Sequence, residues 1–242
     1  MSGVLLQEDR GAVRILTLNR PEKRNALDTA LTRALLDALR AADADDGVGC
    51  VVVTGAGRGF CAGADLAEFK DLTPDQPARV EARAQLTTAL HACFPQLRMP
   101  VVTAVNGAAM GGGAGLALAG DLALMAESAT LGYPETRHGI VAAIVMANLV
   151  RQAGRKAAFE LVSLGEPLGA LRAAALGLVN RVVADEQLME EALKLAARLA
   201  AMSRPAMAAT KQLFHQAADL PLDEALERGR ALNQRMRGFP KP

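Results

Sequence analysis

Residues 101–115 read VVTAVNGAAMGGGAG, an apolar, β-branched strand pattern that halts at Asn106-Gly107 and resumes after three successive glycines. The apolar run 114–119 predicts a helix, and the first N–H groups of a helix have no partner within it. Such an end favours developing negative charge, and glycine, lacking a Cβ, lets a ligand approach the backbone closely. A second loop of this kind follows the strand-like run 50–54. It reads GAGRGFCAGAD and leads into a predicted helix at Asp65. Two such loops can converge on one oxygen atom, which is the arrangement that stabilises an oxyanion.

Loops of this kind need rigid elements behind them, and the hydrophobic periodicity provides alternating strands and helices. Val13, Ile15, Leu16 and Leu18 give an early strand. Leu27, Leu31, Ala34, Leu35 and Ala38 then fall at helical spacing up to the acidic turn 43–47. Residues 50–54 read as a buried strand, 78–94 as a helix through Val80, Ala84 and Leu90, and Pro95 closes that unit. A strand over 101–105, a helix over 113–119 and a strand from Asp121 to Ala126 continue the series. Repeated right-handed βα crossovers are therefore expected, an α/β fold. From Asp185 onward the pattern is helical. Leu188, Ala192, Leu195 and Leu199 share one face; Leu222, Leu226, Gly229, Leu232 and Met236 share another, and Pro205 and Pro221 punctuate the run. The expected division is a core over 1–184 and a helical region over 185–242, whose faces must pack on the core or on a neighbouring subunit.

Composition bounds the function. The 242 residues are 51% apolar and 22% charged, with no tryptophan, an ordinary globular balance packed by small and branched aliphatics. With 27 basic against 26 acidic residues, no basic stripe exists to bind nucleic acid. Cys50, Cys61 and Cys93 are odd in number, lack CxxC spacing and lie in apolar or glycine-rich stretches. Reduced, buried thiols and a cytoplasmic setting are expected. The opening MSGVLLQEDRGAV has no signal-peptide pattern, so the chain is expected to start as written, and no apolar run reaches the roughly 20 residues that span a bilayer. Residues 57–62 satisfy the dinucleotide string G-x-G-x-x-A. The acidic residue about twenty positions on, Glu81, would sit inside a predicted helix, which argues against NAD. Three scattered histidines form no metal motif.

Four segments in order, Asn19–Leu27 (NRPEKRNAL), 60–66 (FCAGADL), 100–135 (PVVTAVNGAAMGGGAGLALAGDLALMAESATLGYPE) and 154–183, resemble the crotonase family, the enoyl-CoA hydratases and isomerases. The likeness covers more than 150 residues. It implies a spiral of ββα turns, a C-terminal helical region that builds trimers or dimers of trimers, an acyl-CoA substrate, and no cofactor beyond the coenzyme A of that substrate. It places the oxyanion donors on the backbone N–H groups of Ala64 and Gly112. It sets Lys23 and Arg24 beside the nucleotide of CoA, though an isolated Lys-Arg pair after Pro21 would otherwise read as a solvated loop. Ala26 and Ala62 fall near adenine and pantetheine, and Asp65, Leu66 and Ala67 line the CoA channel. An isolated glycine triplet would more often be a packing point; joined to the AGAD loop it reads as a site.

The sequence departs from the hydratase pattern at its carboxylates. A hydratase of this family carries one glutamate just after the triplet, where this chain has Gly115, and a second in a downstream Pro-Glu, which Glu135 matches. Asp121 and Glu127 flank a strand as capping or solvated groups. Hydration uses paired carboxylates to hold a water, whereas moving a double bond from C3–C4 to C2–C3 needs one base that removes and returns a proton. The single glutamate favours isomerisation over hydration; a weakly catalytic acyl-CoA-binding protein is the alternative from another class. Tyr133, Ile140 and Val141 are apolar enough to raise the Glu135 pKa. His138, three residues on, is a candidate second proton carrier, though histidines so placed are more often packing residues. The segment 138–149 lacks the proline and glycines usual in family hydratases, and acyl specificity is expected in the loop 71–77 and in the helix after Gly139.

Overall fold

The computed structural model describes residues 3–239. Its strands are β1 (Leu5–Arg10), β2 (Val13–Leu18), β3 (Cys50–Gly55), β4 (Val101–Val105), β5 (Ala109–Met110), β6 (Leu122–Ala126), β7 (Thr130–Gly132), β8 (Leu168–Gly169) and β9 (Arg181–Val183). The helices are α1 (Thr29–Ala44), α2 (Leu66–Asp71), α3 (Pro77–Cys93), α4 (Gly112–Ala117), α5 (Met146–Leu164), α6 (Ala170–Ala175), α7 (Leu188–Ala200), α8 (Arg204–Ala218) and α9 (Leu222–Arg235).

Six strands form one sheet in the order β1-β2-β3-β4-β6-β9, and three form a small sheet, β5-β7-β8. Only the β1–β2 hairpin of the large sheet is antiparallel; the remaining pairs are parallel. Parallel strands are covered on both faces and become continuously apolar, which is why β3 and β4 are buried at every position. The α1 helix starts where the Asp28 side chain accepts the Leu31 N–H, and it turns Leu31, Leu35, Leu39 and Ala42 into the core at helical spacing.

The helical tail divides. The α7 helix lies across β2, β3, β4 and β6 and buries Leu188, Ala192 and Ala196. In α8 the buried residue is Lys211, whose Nζ donates to Asp121 Oδ2 at 2.7 Å and to the Met99 carbonyl at 3.0 Å. Asp121 also accepts the Val101 N–H, so it ties α8 to the starting ends of β4 and β6. This strand-flanking carboxylate is an anchor rather than a solvated group, while Glu127 is exposed. Cavities of about 590 and 510 Å³ border α8 at that end of the sheet. Cys50, Cys61 and Cys93 are free and buried, and burial pushes their thiols up to about 12, 12 and 11, so they are protonated. Glu81 lies inside α3. No helix among the described residues is long and apolar enough to cross a membrane.

Candidate active site

The site is built where four stretches of backbone run side by side beyond the large sheet. Leu27 bridges Ala64, Cys61 bridges Ala109, and β5 pairs with β7, all in parallel. Parallel neighbours deliver whatever follows them to the same edge. The glycine triplet follows β5, Tyr133-Pro134-Glu135 follows β7, and Ala64 emerges from the loop after β3. Met110 pairs with Gly132, and the Gly111 N–H donates to the Gly132 carbonyl at 2.8 Å, which places Glu135 against the triplet.

Both donor positions are open. In the Leu27–Ala64 bridge, the Leu27 N–H donates to Gly63 and the Asp65 N–H donates to Leu27. In a parallel pairing of that register the intervening Ala64 N–H points away from Leu27, and Ala64 is exposed. Gly112 is the first residue of α4 and half-exposed, so its N–H is one of the helix's unpaired donors. The two loops touch: a Cβ on Gly112 would stand 3.7 Å from Gly63 Cα and 3.8 Å from the Ala64 nitrogen. One oxygen can be reached by both N–H groups.

Glu135 sits in a short 3-10 turn, Pro134–His138. Its Oε1 lies 2.7 Å from where a Cβ on Gly111 would stand, so any side chain there would displace the carboxylate; Gly111 also has φ +52°. Oε2 is buried without a hydrogen-bond partner. Burial raises the Glu135 pKa above the ordinary carboxylate value, offset in part by a backbone hydrogen bond and by the charge of His138. The predicted apolar surroundings divide in the structure: Tyr133 is buried, Ile140 half-buried and Val141 exposed. Burial, then the Glu135 charge, raises the Tyr133 hydroxyl. His138 is exposed and acts on Glu135 through its charge.

Lys23 and Arg24 are exposed on the loop before Leu27, beside the donor loop, because the Ala62 N–H donates to the Arg24 carbonyl at 2.9 Å. Ala26 is buried; Ala62, Leu66 and Ala67 are exposed. Asp65 is buried, and its carboxylate caps α2 through the Ala67 and Glu68 N–H groups and pairs with Arg20 at 2.8 Å. That hydrogen bonding and the neighbouring guanidinium hold its pKa below the usual range.

Sequence reasoning missed three residues that position these loops. Asn25 is buried at φ +56°; its amide donates to the Ala56 and Gly59 carbonyls and accepts the Arg20 N–H. Asparagine is among the few side chains that tolerate this backbone region, and this was the available signal. Asn106 holds Gly55 and Gly57 from the end of β4. The third is His91 of α3, buried with neither ring nitrogen hydrogen-bonded, whose Cε1 is 3.1 Å from a Cβ position on Gly115. A Cβ on Gly115 would also overlap Val145 Cγ1 and stand 2.6 Å from Val145 Cβ, so the place of a second carboxylate is closed. No group of three His, Cys, Asp or Glu side chains among the described residues could hold a metal ion.

The enoyl-CoA hydratase/isomerase family model matches residues 8–238. A Thermus thermophilus relative is 43% identical over 87% of this chain and 83% of its own. The 2,3-dehydroadipyl-CoA hydratase of Escherichia coli is 39% identical over 91% of this chain and 85% of its own. The crystal structure of an enoyl-CoA hydratase from Mycobacterium smegmatis superposes with a TM-score of 0.93 at 33% identity, covering 98% of this chain and 92% of that one. With the two donor loops and Glu135 in one place and the match running almost end to end, the chain belongs to the enoyl-CoA hydratase/isomerase family, the crotonases, and is an enzyme acting on acyl-CoA.

Proposed function

We propose that the chain isomerises 3-enoyl-CoA to 2-enoyl-CoA with Glu135 as its only proton carrier. The observation behind this reading is the single carboxylate against the triplet, with the place for a partner at 115 closed by Val145. Glu135 removes a proton from C2, and the electron pair moves into the thioester as an enolate that accepts the Ala64 and Gly112 N–H groups. Glu135 then returns the proton to C4, leaving the double bond at C2–C3. The donors form where charge develops, and each such donor is worth about 10²–10³ in rate.

Lys23 and Arg24 would meet the phosphates of CoA, and the segments around Ala26, Ala62, Asp65, Leu66 and Ala67 would border its channel. CoA enters only as part of the substrate, and no permanently bound cofactor or metal is proposed. We place the enzyme in the cytoplasm on its three protonated, buried thiols, and assign it a homotrimer or dimer of trimers without nucleic-acid or membrane partners. The 1–184 core and 185–242 helical region are retained as a division, with α7 as the joint.

The test follows the absorbance of the conjugated enoyl thioester as purified protein meets a 3-enoyl-CoA. Glu135→Gln is expected to lower the rate by about 10²–10⁴ while acyl-CoA affinity stays within about twofold. Equal rates for variant and wild type would remove Glu135 from the chemistry. Binding without turnover would favour the acyl-CoA-binding alternative. Hydration is the second reading, supported by the hydratase names of the relatives.

A further inference from the structure

Arg20 straddles the Leu27–Ala64 bridge. Its Nη1 donates to the Ala26 carbonyl at 2.6 Å and its Nη2 to Asp65 Oδ2 at 2.8 Å, with Asp28 Oδ2 at 3.2 Å from the same nitrogen. Ala26 precedes Leu27 on one side of the bridge and Asp65 follows Ala64 on the other, so a single guanidinium grips both segments. A planar fork with donors on two edges suits two acceptors so placed, and the side chain is only 14% exposed.

The bond to Ala26 starts a chain of hydrogen bonds. The Ala26 carbonyl and the Leu27 N–H are the two ends of one peptide, and that N–H donates to the Gly63 carbonyl at 2.7 Å. The Gly63 carbonyl and the Ala64 N–H are the two ends of the next. The described peptides are trans, which sets the carbonyl and the N–H of each on opposite sides, so the direction of one bond fixes that of the following one. The last group in the series is the open Ala64 N–H. A charged donor at the start polarises each peptide after it and makes the terminal N–H a stronger donor. Arg83 also holds Leu27, its Nη2 donating to the Leu27 carbonyl at 2.8 Å, but that peptide ends on the Asp28 N–H and lies outside the chain.

We propose that Arg20 is a positioning residue for the oxyanion site: through the Ala26–Leu27 and Gly63–Ala64 peptides it aims the Ala64 N–H at the thioester oxygen and strengthens that bond as negative charge develops. The proposal rests on the Ala64 donor role given above and holds for isomerisation and hydration alike, since both pass through an enolate. Asp65 and Asp28 bind the other edge of the guanidinium and keep Nη1 turned toward Ala26.

The experiment reads the carbonyl stretch of a bound saturated acyl-CoA, labelled with carbon-13 at the thioester carbonyl, by isotope-edited infrared spectroscopy, alongside kcat and KM on an enoyl-CoA. Hydrogen bonding weakens the carbonyl bond and lowers its frequency. Ala64→Pro should lose much of the lowering seen in the wild type; an unchanged frequency would overturn the Ala64 donor and this proposal with it. Arg20→Gln, uncharged and without the fork, should lose part of the lowering and reduce kcat about tenfold while acyl-CoA affinity changes less than about threefold. Arg20→Lys keeps the charge without the fork and should lie between the Gln variant and the wild type. Arg83→Gln loosens the same Leu27 outside the chain and should keep the wild-type frequency. A wild-type frequency in Arg20→Gln, a Lys variant no better than Gln, or an equal change in Arg83→Gln would overturn the Arg20 role and leave the Ala64 donor standing. If Arg20→Gln does not fold, the Lys variant decides alone: wild-type frequency and kcat would overturn the proposal.

Discussion

At the scale of single residues, the catalysis proposed here depends on main-chain donors and one carboxylate, which respond to different substitutions. Ala64→Pro deletes an N–H without adding charge. It is expected to lower kcat/KM by about 10²–10³, while Ala64→Ser, which keeps the donor, stays near wild type. Steady-state kinetics on the two variants checks this, with thermal melts to exclude unfolding. The Glu135 pKa is raised chiefly by burial. The base is the ionised form, so kcat/KM is expected to fall as pH drops, with the midpoint of that acid limb above the ordinary 4.5 of a glutamate. A limb centred at or below 4.5 would show that the carboxylate is not desolvated in the free enzyme. Glu135 was legible as a candidate because Pro-Glu stood at a family spacing. His91 was not, because burial and lack of partners are properties of packing that no spacing of residues in α3 encodes.

At the scale of elements, the decisive contact is α4 against the start of α5. Val145 fills the space beside Gly115, so glycine at 115 and valine at 145 are coupled. Gly115→Glu is expected to destabilise the protein by about 1–3 kcal/mol through overpacking, with a further cost for burying the carboxylate. Val145→Ala in the same chain should recover part of the loss, read as the urea midpoint. Equal midpoints for the single and double variants would break the coupling. The periodicity placed α1, α3, α4 and the strands β2, β3, β4 and β6 within a few residues of their observed bounds. It missed β1, the three-residue strands β7 and β9 and the two-residue strands β5 and β8, since so short a run has no period, and β5 is the strand that sets the triplet beside Glu135.

For the whole molecule, the tail has two different relations to the core. The α7 helix is buried on the sheet and α8 is fixed through Lys211 and Asp121, whereas Phe214, Leu222 and Leu226 are 68%, 76% and 65% exposed. These open side chains along neighbouring helices are the surface that the proposed trimer contact would cover. Sedimentation is expected to give three or six chains, and Leu222→Lys with Leu226→Lys should shift the mass downward; a monomeric wild type would remove the assignment.

The sequence by itself determined the α/β order, the apolar central strands, the glycine-rich donor loops and the single glutamate, because periodicity, β-branching and glycine act locally. Tertiary structure alone decided that residues 27, 64, 112 and 135 share an edge, because parallel pairing joins segments far apart in the chain. It also decided that Asp65 turns inward to Arg20, that Val145 closes the space at 115, and that an unpaired histidine lies against α4, since each depends on which side chains meet once the core has closed.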